Sequence, residues 1–143
     1  MRTVFAALAI LLATVATALA ASPVELYTLN CWGCHQPHAE GIPGTVPRLA
    51  HSMGYFLAIP EGRAYLVQVP AVANSPLNNE QIAQVLNWLL ITFNKDELPK
   101  DFKPYSVEEI GKWRPHPIAN VKAARVELSK RLAARGYTVS PGL

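Results

Sequence analysis

A chain of 143 residues, half of them apolar and with a net charge of only +3, is sized for one small domain with an appendage and needs no second core. It holds no internal repeat and no low-complexity tract, and past the first twenty residues no stretch resembles a membrane span. Repeat arrays, polytopic membrane proteins and compositionally disordered chains are thereby excluded.

The first element is a targeting signal. Arg2 supplies a positive start, Val4 to Ala13 an apolar run too short to cross a bilayer, and Ala18-Leu19-Ala20 a small-residue cleavage site. Residues 1–20 therefore read as a signal peptide, with the mature chain starting at Ala21 in the periplasm. The alternative is a retained anchor, which Thr14 and Thr17 interrupt. An exported chain has no business with nucleic acid.

Ser22-Pro23-Val24-Glu25 is a capping box with proline at the first helical position, and it starts a short helix. That helix runs into Cys31-Trp32-Gly33-Cys34-His35, the C-x-x-C-H attachment signature of a c-type haem. Two thiols three positions apart add to the two vinyl groups of one porphyrin, and the adjacent histidine is held against the iron. Three other readings of these residues are open. Cys31, Cys34, His35 and His38 make a zinc set from one segment, although structural zinc usually draws a second ligand pair from elsewhere. A thioredoxin-like pair needs a βαβ context, which this region lacks. A disulfide closing so short a loop constrains the unfolded chain little.

Further along, Glu61 to Val69 reads as a helix stopped by Pro70. Asn78 and Gln81 cap the next helix, in which Ile82, Val85, Leu86, Leu89 and Leu90 form one apolar stripe. Asp96 to Pro104 reads as a polar linker. Ser106-Val107-Glu108-Glu109 is another capping box, opening a helix that ends before Pro115. Ile118, Val121, Ala124, Leu128 and Leu132 make a last stripe, stopped at Gly136, with Lys122, Arg125 and Arg135 expected on the outward face. Charge divides unevenly. Arg48 and Arg63 face four glutamates between residues 21 and 94, whereas Lys112 to Arg135 carries seven cations against Glu127.

Over roughly Pro23 to Phe93 the chain resembles the class I c-type cytochromes. The residues that carry the resemblance are the helix entering C-x-x-C-H, Tyr27 one turn before Cys31, the Pro47-Arg48-Leu49 loop, and Asn87-Trp88-Leu89 on the terminal helix. The resemblance implies an all-α, cytochrome c-like small helical domain around one covalently attached haem c. In it Pro47, twelve residues after His35, offers its carbonyl to the free nitrogen of the ligating histidine. Such a bond orients the ring and makes the imidazole a better donor. Arg48 and Arg63 are candidates to pair with the haem propionates.

The family's second axial ligand is a methionine in the loop between the middle and terminal helices. Here that loop, Val69 to Asn78, has neither methionine nor histidine. Met53, His51 or an open position remain as alternatives, and Met53 leads. With Met53 on the iron, one-electron transfer is the natural role; an open site favours a haem-based sensor of small ligands. From this reading we expect residues 1–20 as signal, 21–94 as cytochrome domain, and 95–143 as linker and helical extension. The extension serves either as a brace on the domain or as a docking element. The function expected is a periplasmic electron carrier, not an enzyme, between an exported dehydrogenase and the respiratory chain, or a fixed subunit of such a complex. Its metal ligands are His35 and Met53, its partner is a redox protein such as a dehydrogenase, oxidase or reductase, and no membrane span remains after signal removal.

Overall fold

Helix α1, Pro23–Asn30, starts at the expected cap. In the computed structural model, which describes residues 21–139, Ser22 Oγ accepts from the Glu25 amide at 3.3 Å and Glu25 Oε2 accepts from the Ser22 amide at 2.7 Å. The signal segment expected over residues 1–20 lies outside the described residues. Along the chain follow α2 (Trp32–His35), a 3-10 helix (Met53–Ala58), α3 (Pro60–Gln68), α4 (Pro70–Ala73), α5 (Asn79–Phe93), a 3-10 turn (Lys95–Glu97), α6 (Val107–Trp113) and α7 (Val121–Ala133). Among the described residues the β structure is one isolated bridge, Ile42 to Val46, and the fold is all-α. No helix among these residues is long and apolar enough to cross a membrane.

Helix α5 is the spine. Its box closes as expected, with Asn78 Oδ1 accepting from Gln81 N–H and Gln81 Oε1 from Asn78 N–H, both at 2.9 Å. Ile82, Val85, Leu86, Leu89 and Leu90 are all buried. The stripe packs on α1, where the rings of Tyr27 and Trp88 lie 5.3 Å apart and tilted by 50°, an arrangement that holds two crossing helices at a defined angle. Between them sits one core that also takes in Phe56, Ile59, Tyr65 and Val67.

Three expectations are corrected here. Pro70, expected only to end a helix, follows the end of α3 at Gln68 and opens the further turn α4, because at a first helical position proline lacks only a donor that would be unpaired anyway. Glu109 does not close a box with Ser106. Ser106 Oγ still accepts from its amide at 3.2 Å, but the carboxylate receives Nη2 of Arg63 at 2.7 Å and Nε as well, since a bidentate charged pair outweighs one neutral amide. The span 96–104 is not a loose linker either. It delivers Tyr105 into the core at 3% exposure, where its hydroxyl donates to Arg63 O at 2.8 Å and its backbone makes two bonds to the Asn87 side chain.

The extension folds back on its own domain. Leu128 and Leu132 are buried, Ile118, Val121 and Ala124 pack against the core, Ile118 N–H donates to Gln68 O at 2.9 Å, and Arg135 Nη1 donates to Ala58 O at 2.9 Å. Arg125 departs from its expected place. It is 6% exposed, with its guanidinium 5.2 Å from the Phe56 ring centroid. Four residues after Val121 and three before Leu128, it lies on the stripe itself, and the aromatic face offers a cation a favourable seat.

Candidate haem site

The C-x-x-C-H motif forms one helical turn at the end of α1. Cys31 N–H donates to Tyr27 O at 2.8 Å, and the amides of Cys34 and His35 both donate to Cys31 O, at 3.2 and 2.9 Å. Both thiols are free, Cys31 partly buried and Cys34 exposed. Burial pushes the Cys31 thiol up, and the neighbouring Cys34 pushes it the same way.

After His35 the chain doubles back through two left-handed residues, Gln36 and Ala39. Gly41 N–H then donates to His35 O at 3.0 Å, and Ile42 and Val46 exchange bonds at 3.0 and 2.8 Å. This brings Pro47 O to 3.1 Å from His35 Nδ1. A carbonyl only accepts, so Nδ1 carries the proton and the Nε2 lone pair is left for a metal. Burial holds the His35 pKa below its ordinary value; the Pro47 bond opposes that, and the nearby charge of Arg125 adds to it. Tyr27 anchors the same loop, its hydroxyl donating to Gln36 O at 2.7 Å. Its pKa is pushed up to about 12, mainly by burial and secondarily by Cys31 and Glu40, so it remains a donor at any working pH.

Gly41 is a site residue that pattern reading missed. Its φ is +67°, and a Cβ there would lie 2.5 Å from Val46 O and 2.7 Å from Pro47 O, closer than real atoms approach. Only glycine lets the loop pass against the carbonyl that orients His35. The signal was present as the glycines of Gly41-Ile42-Pro43-Gly44 inside the span from His35 to Pro47, but nothing local says which glycine meets Pro47.

Other expected residues are dispersed. Arg63, a candidate for the propionates, is committed to Glu109 and to the carbonyls of Lys103 and Pro104, and stacks 4.2 Å over Tyr105; the bond to Glu109 raises its pKa. Arg48 is exposed. The buried cation within electrostatic reach of His35 is Arg125, from the extension. Met53 is buried at the start of its 3-10 helix. His51 has a φ of +54°, its side chain is 61% exposed, and its Nδ1–H donates to Glu97 Oε1 at 3.0 Å. An open cleft of about 390 Å³, lined by Arg63, Phe102 and Glu109 among others, shares no residue with the cysteine motif.

The donor set fits a covalent haem: two free thiols one turn apart for two vinyl groups, and an imidazole of fixed tautomer beside them. Among the described residues no cluster of three or more His, Cys, Asp or Glu suited to a metal ion is formed, so the zinc alternative finds no ligand shell. The βαβ setting of a thioredoxin-like pair is likewise missing among those residues.

Comparison with known proteins points the same way. The model of the cytochrome c family matches residues 23–92. Cytochrome c-552 of Thermus thermophilus is 35% identical over an alignment of 103 residues, covering 59% of this chain and 79% of the relative. The cytochrome c-552 of a further Thermus thermophilus strain is also 35% identical over 103 residues, covering 59% of this chain and 70% of the relative.

Proposed function

The chain belongs to the cytochrome c family, and on that premise we propose that it is a periplasmic monohaem carrier of single electrons between an exported dehydrogenase and the respiratory chain. Covalently bound haem c supplies the one-electron iron couple; everything else is done by residues of the chain. Cys31 and Cys34 tether the porphyrin, His35 offers Nε2 to the iron, and Pro47 O holds the ring by its other nitrogen. Gly41 keeps that carbonyl in place. Arg125 puts a positive charge within electrostatic reach of His35, which would favour the reduced, less positive iron. The observation that carries the reading is the His35 Nδ1 to Pro47 O bond of 3.1 Å immediately behind two free cysteines.

A partner would dock near the cysteine motif, where Leu29 is 80% and Trp32 40% exposed. Small apolar contacts with a charged surround suit short encounters. The test is maturation of the full chain in an exporting, haem-attaching host. The periplasmic fraction should contain red protein that keeps its colour through acid–acetone extraction and titrates with a single one-electron wave. Colour that extracts completely, or protein retained in the cytoplasm, overturns the reading.

A further inference from the structure

The second axial donor of a haem iron is most often an imidazole or a thioether, with oxygen and amine donors rarer, and the chain offers few of the usual kind. Apart from His35 the imidazoles are His38, His51 and His116, and apart from Met1 the thioether is Met53. His38, His116 and all six lysines are exposed. His51 has its backbone amide on Phe93 O at 2.9 Å and its ring on Glu97.

Met53 is buried and tied through its backbone to the strip of chain that follows Pro47. Its amide donates to Leu49 O at 2.9 Å, and Leu49 and Ala50 both donate to Ala39 O at 2.9 Å. Leu49 is two residues beyond Pro47, the residue that holds His35 by Nδ1, so Met53 is fastened to the same strip of chain that supplies the carbonyl on the imidazole. Asn94 Oδ1 locks that strip by accepting from Ser52 N–H at 3.0 Å and Gly54 N–H at 3.1 Å. Glu97 leaves no slack, since a Cβ on Gly54 would lie 2.8 Å from its Cβ. Reaching the far face of the haem would cost Met53 both Asn94 bonds, each worth about 1 kcal/mol, and would leave a buried acceptor unsatisfied.

Nor is there slack between α3 and α5. Arg114 ties this loop with three bonds, Nε to Ala73 O at 3.0 Å, Nη2 to Ser75 O at 2.7 Å and Nη1 to Asn79 Oδ1 at 3.0 Å. Residues 69–78 contain no acid, base, sulfur or imidazole. We propose that the haem of this chain keeps its second axial position open to a neutral π-acceptor diatomic ligand, of the class of carbon monoxide and nitric oxide. Five-coordinate reduced iron with one imidazole binds such molecules, and a loop 69–78 without acid or base favours binding over activation.

This inference rests on the covalent-haem reading and goes beyond the electron-carrier reading by adding a ligand site on the same iron. The test is titration of the reduced, haem-loaded full chain with carbon monoxide, read from the Soret band. The expected result is a high-spin reduced spectrum that shifts and sharpens to saturation at one carbon monoxide per haem, unchanged in Met53→Leu and in His51→Ala. A low-spin reduced spectrum indifferent to saturating carbon monoxide overturns the inference while leaving the haem reading intact. So does a far-red sulfur-to-iron band in the oxidised wild type that Met53→Leu abolishes. Protein without covalent haem fails earlier, at acid–acetone extraction, and the two failures are distinguishable.

Discussion

The loop from His35 to Pro47 and the extension beyond Asn94 are both held in place by hydrogen bonds, but of opposite kinds. The loop is closed within itself, by backbone bonds from Gly41 to His35 and between Ile42 and Val46, and by the His35 ring on Pro47 O twelve residues on. The extension is closed by side chains reaching far along the sequence, Arg63 to Glu109, Arg114 to Ala73, Tyr105 to Arg63 and Arg135 to Ala58. A site that must present one atom at one angle is thus built locally, where the entropy of closure is small. The brace around it is built from three arginines, whose several donors satisfy carbonyls at long range. Damage to the loop should therefore change the site, and damage to the brace should change stability with the site intact.

The largest effect expected is from Cys31→Ala with Cys34→Ala, which removes both tethers. Haem should be lost on extraction, and the thermal transition should broaden or vanish because a bound group stabilises the state it binds. Next is Gly41→Ala. With φ at +67° and two carbonyl oxygens inside 2.8 Å, the substitution should cost about 3 kcal/mol in denaturant unfolding and shift the reduction potential through the displaced Pro47 carbonyl. An unfolding curve and a potential both equal to wild type would remove Gly41 from the site.

Acid should act on the loop before the brace. The folded pKa of His35 is depressed, so its neutral form contributes stability above the unfolded-state value of about 6.5, and that contribution is lost as pH falls through the lower folded-state value. Iron ligation acts in the same direction, since it also requires neutral imidazole. The Soret band should hold steady through the ordinary histidine range and collapse only at lower pH. A transition centred on the ordinary value would mean that the ring is neither buried nor ligated.

Arg114→Ala tests the brace. Three lost bonds, of which the carbonyls of Ala73 and Ser75 can partly recover water, should lower the unfolding free energy by about 2 kcal/mol while the haem spectrum is unchanged. A changed spectrum would erase the division between site and brace. The smallest effect expected is from the exposed cations of α7. Lys122→Glu with Lys130→Glu should slow electron transfer to an acidic partner at low ionic strength, and salt should abolish the difference as exposed charges are screened beyond about 10 Å at 0.1 M. Arg131, already paired with Glu61 at 3.1 Å, and Arg125, buried, are poor choices for this test.

Much of the loop and of the helices could be read directly from the chain. Caps at Ser22, Asn78 and Ser106, the stripe of α5 and the Cys31 to His35 motif are patterns with short periods, and each finds its partners within four residues, so local physics suffices. The resemblance to the class I cytochromes, with Pro47 twelve residues after His35, also pointed to the bond later seen, although only folding sets its distance. What could not be read is what competes over long range. Glu109 had a local partner in Ser106 and took Arg63. Arg125 belonged by charge to the surface and by position to the apolar stripe, and the Phe56 face settled it inward. Met53 was the available thioether by composition, and Asn94, forty residues away along the chain, fastened its segment through the amides of Ser52 and Gly54. In each case several partners are close in energy, and which one wins depends on distances that exist only once the helices have packed.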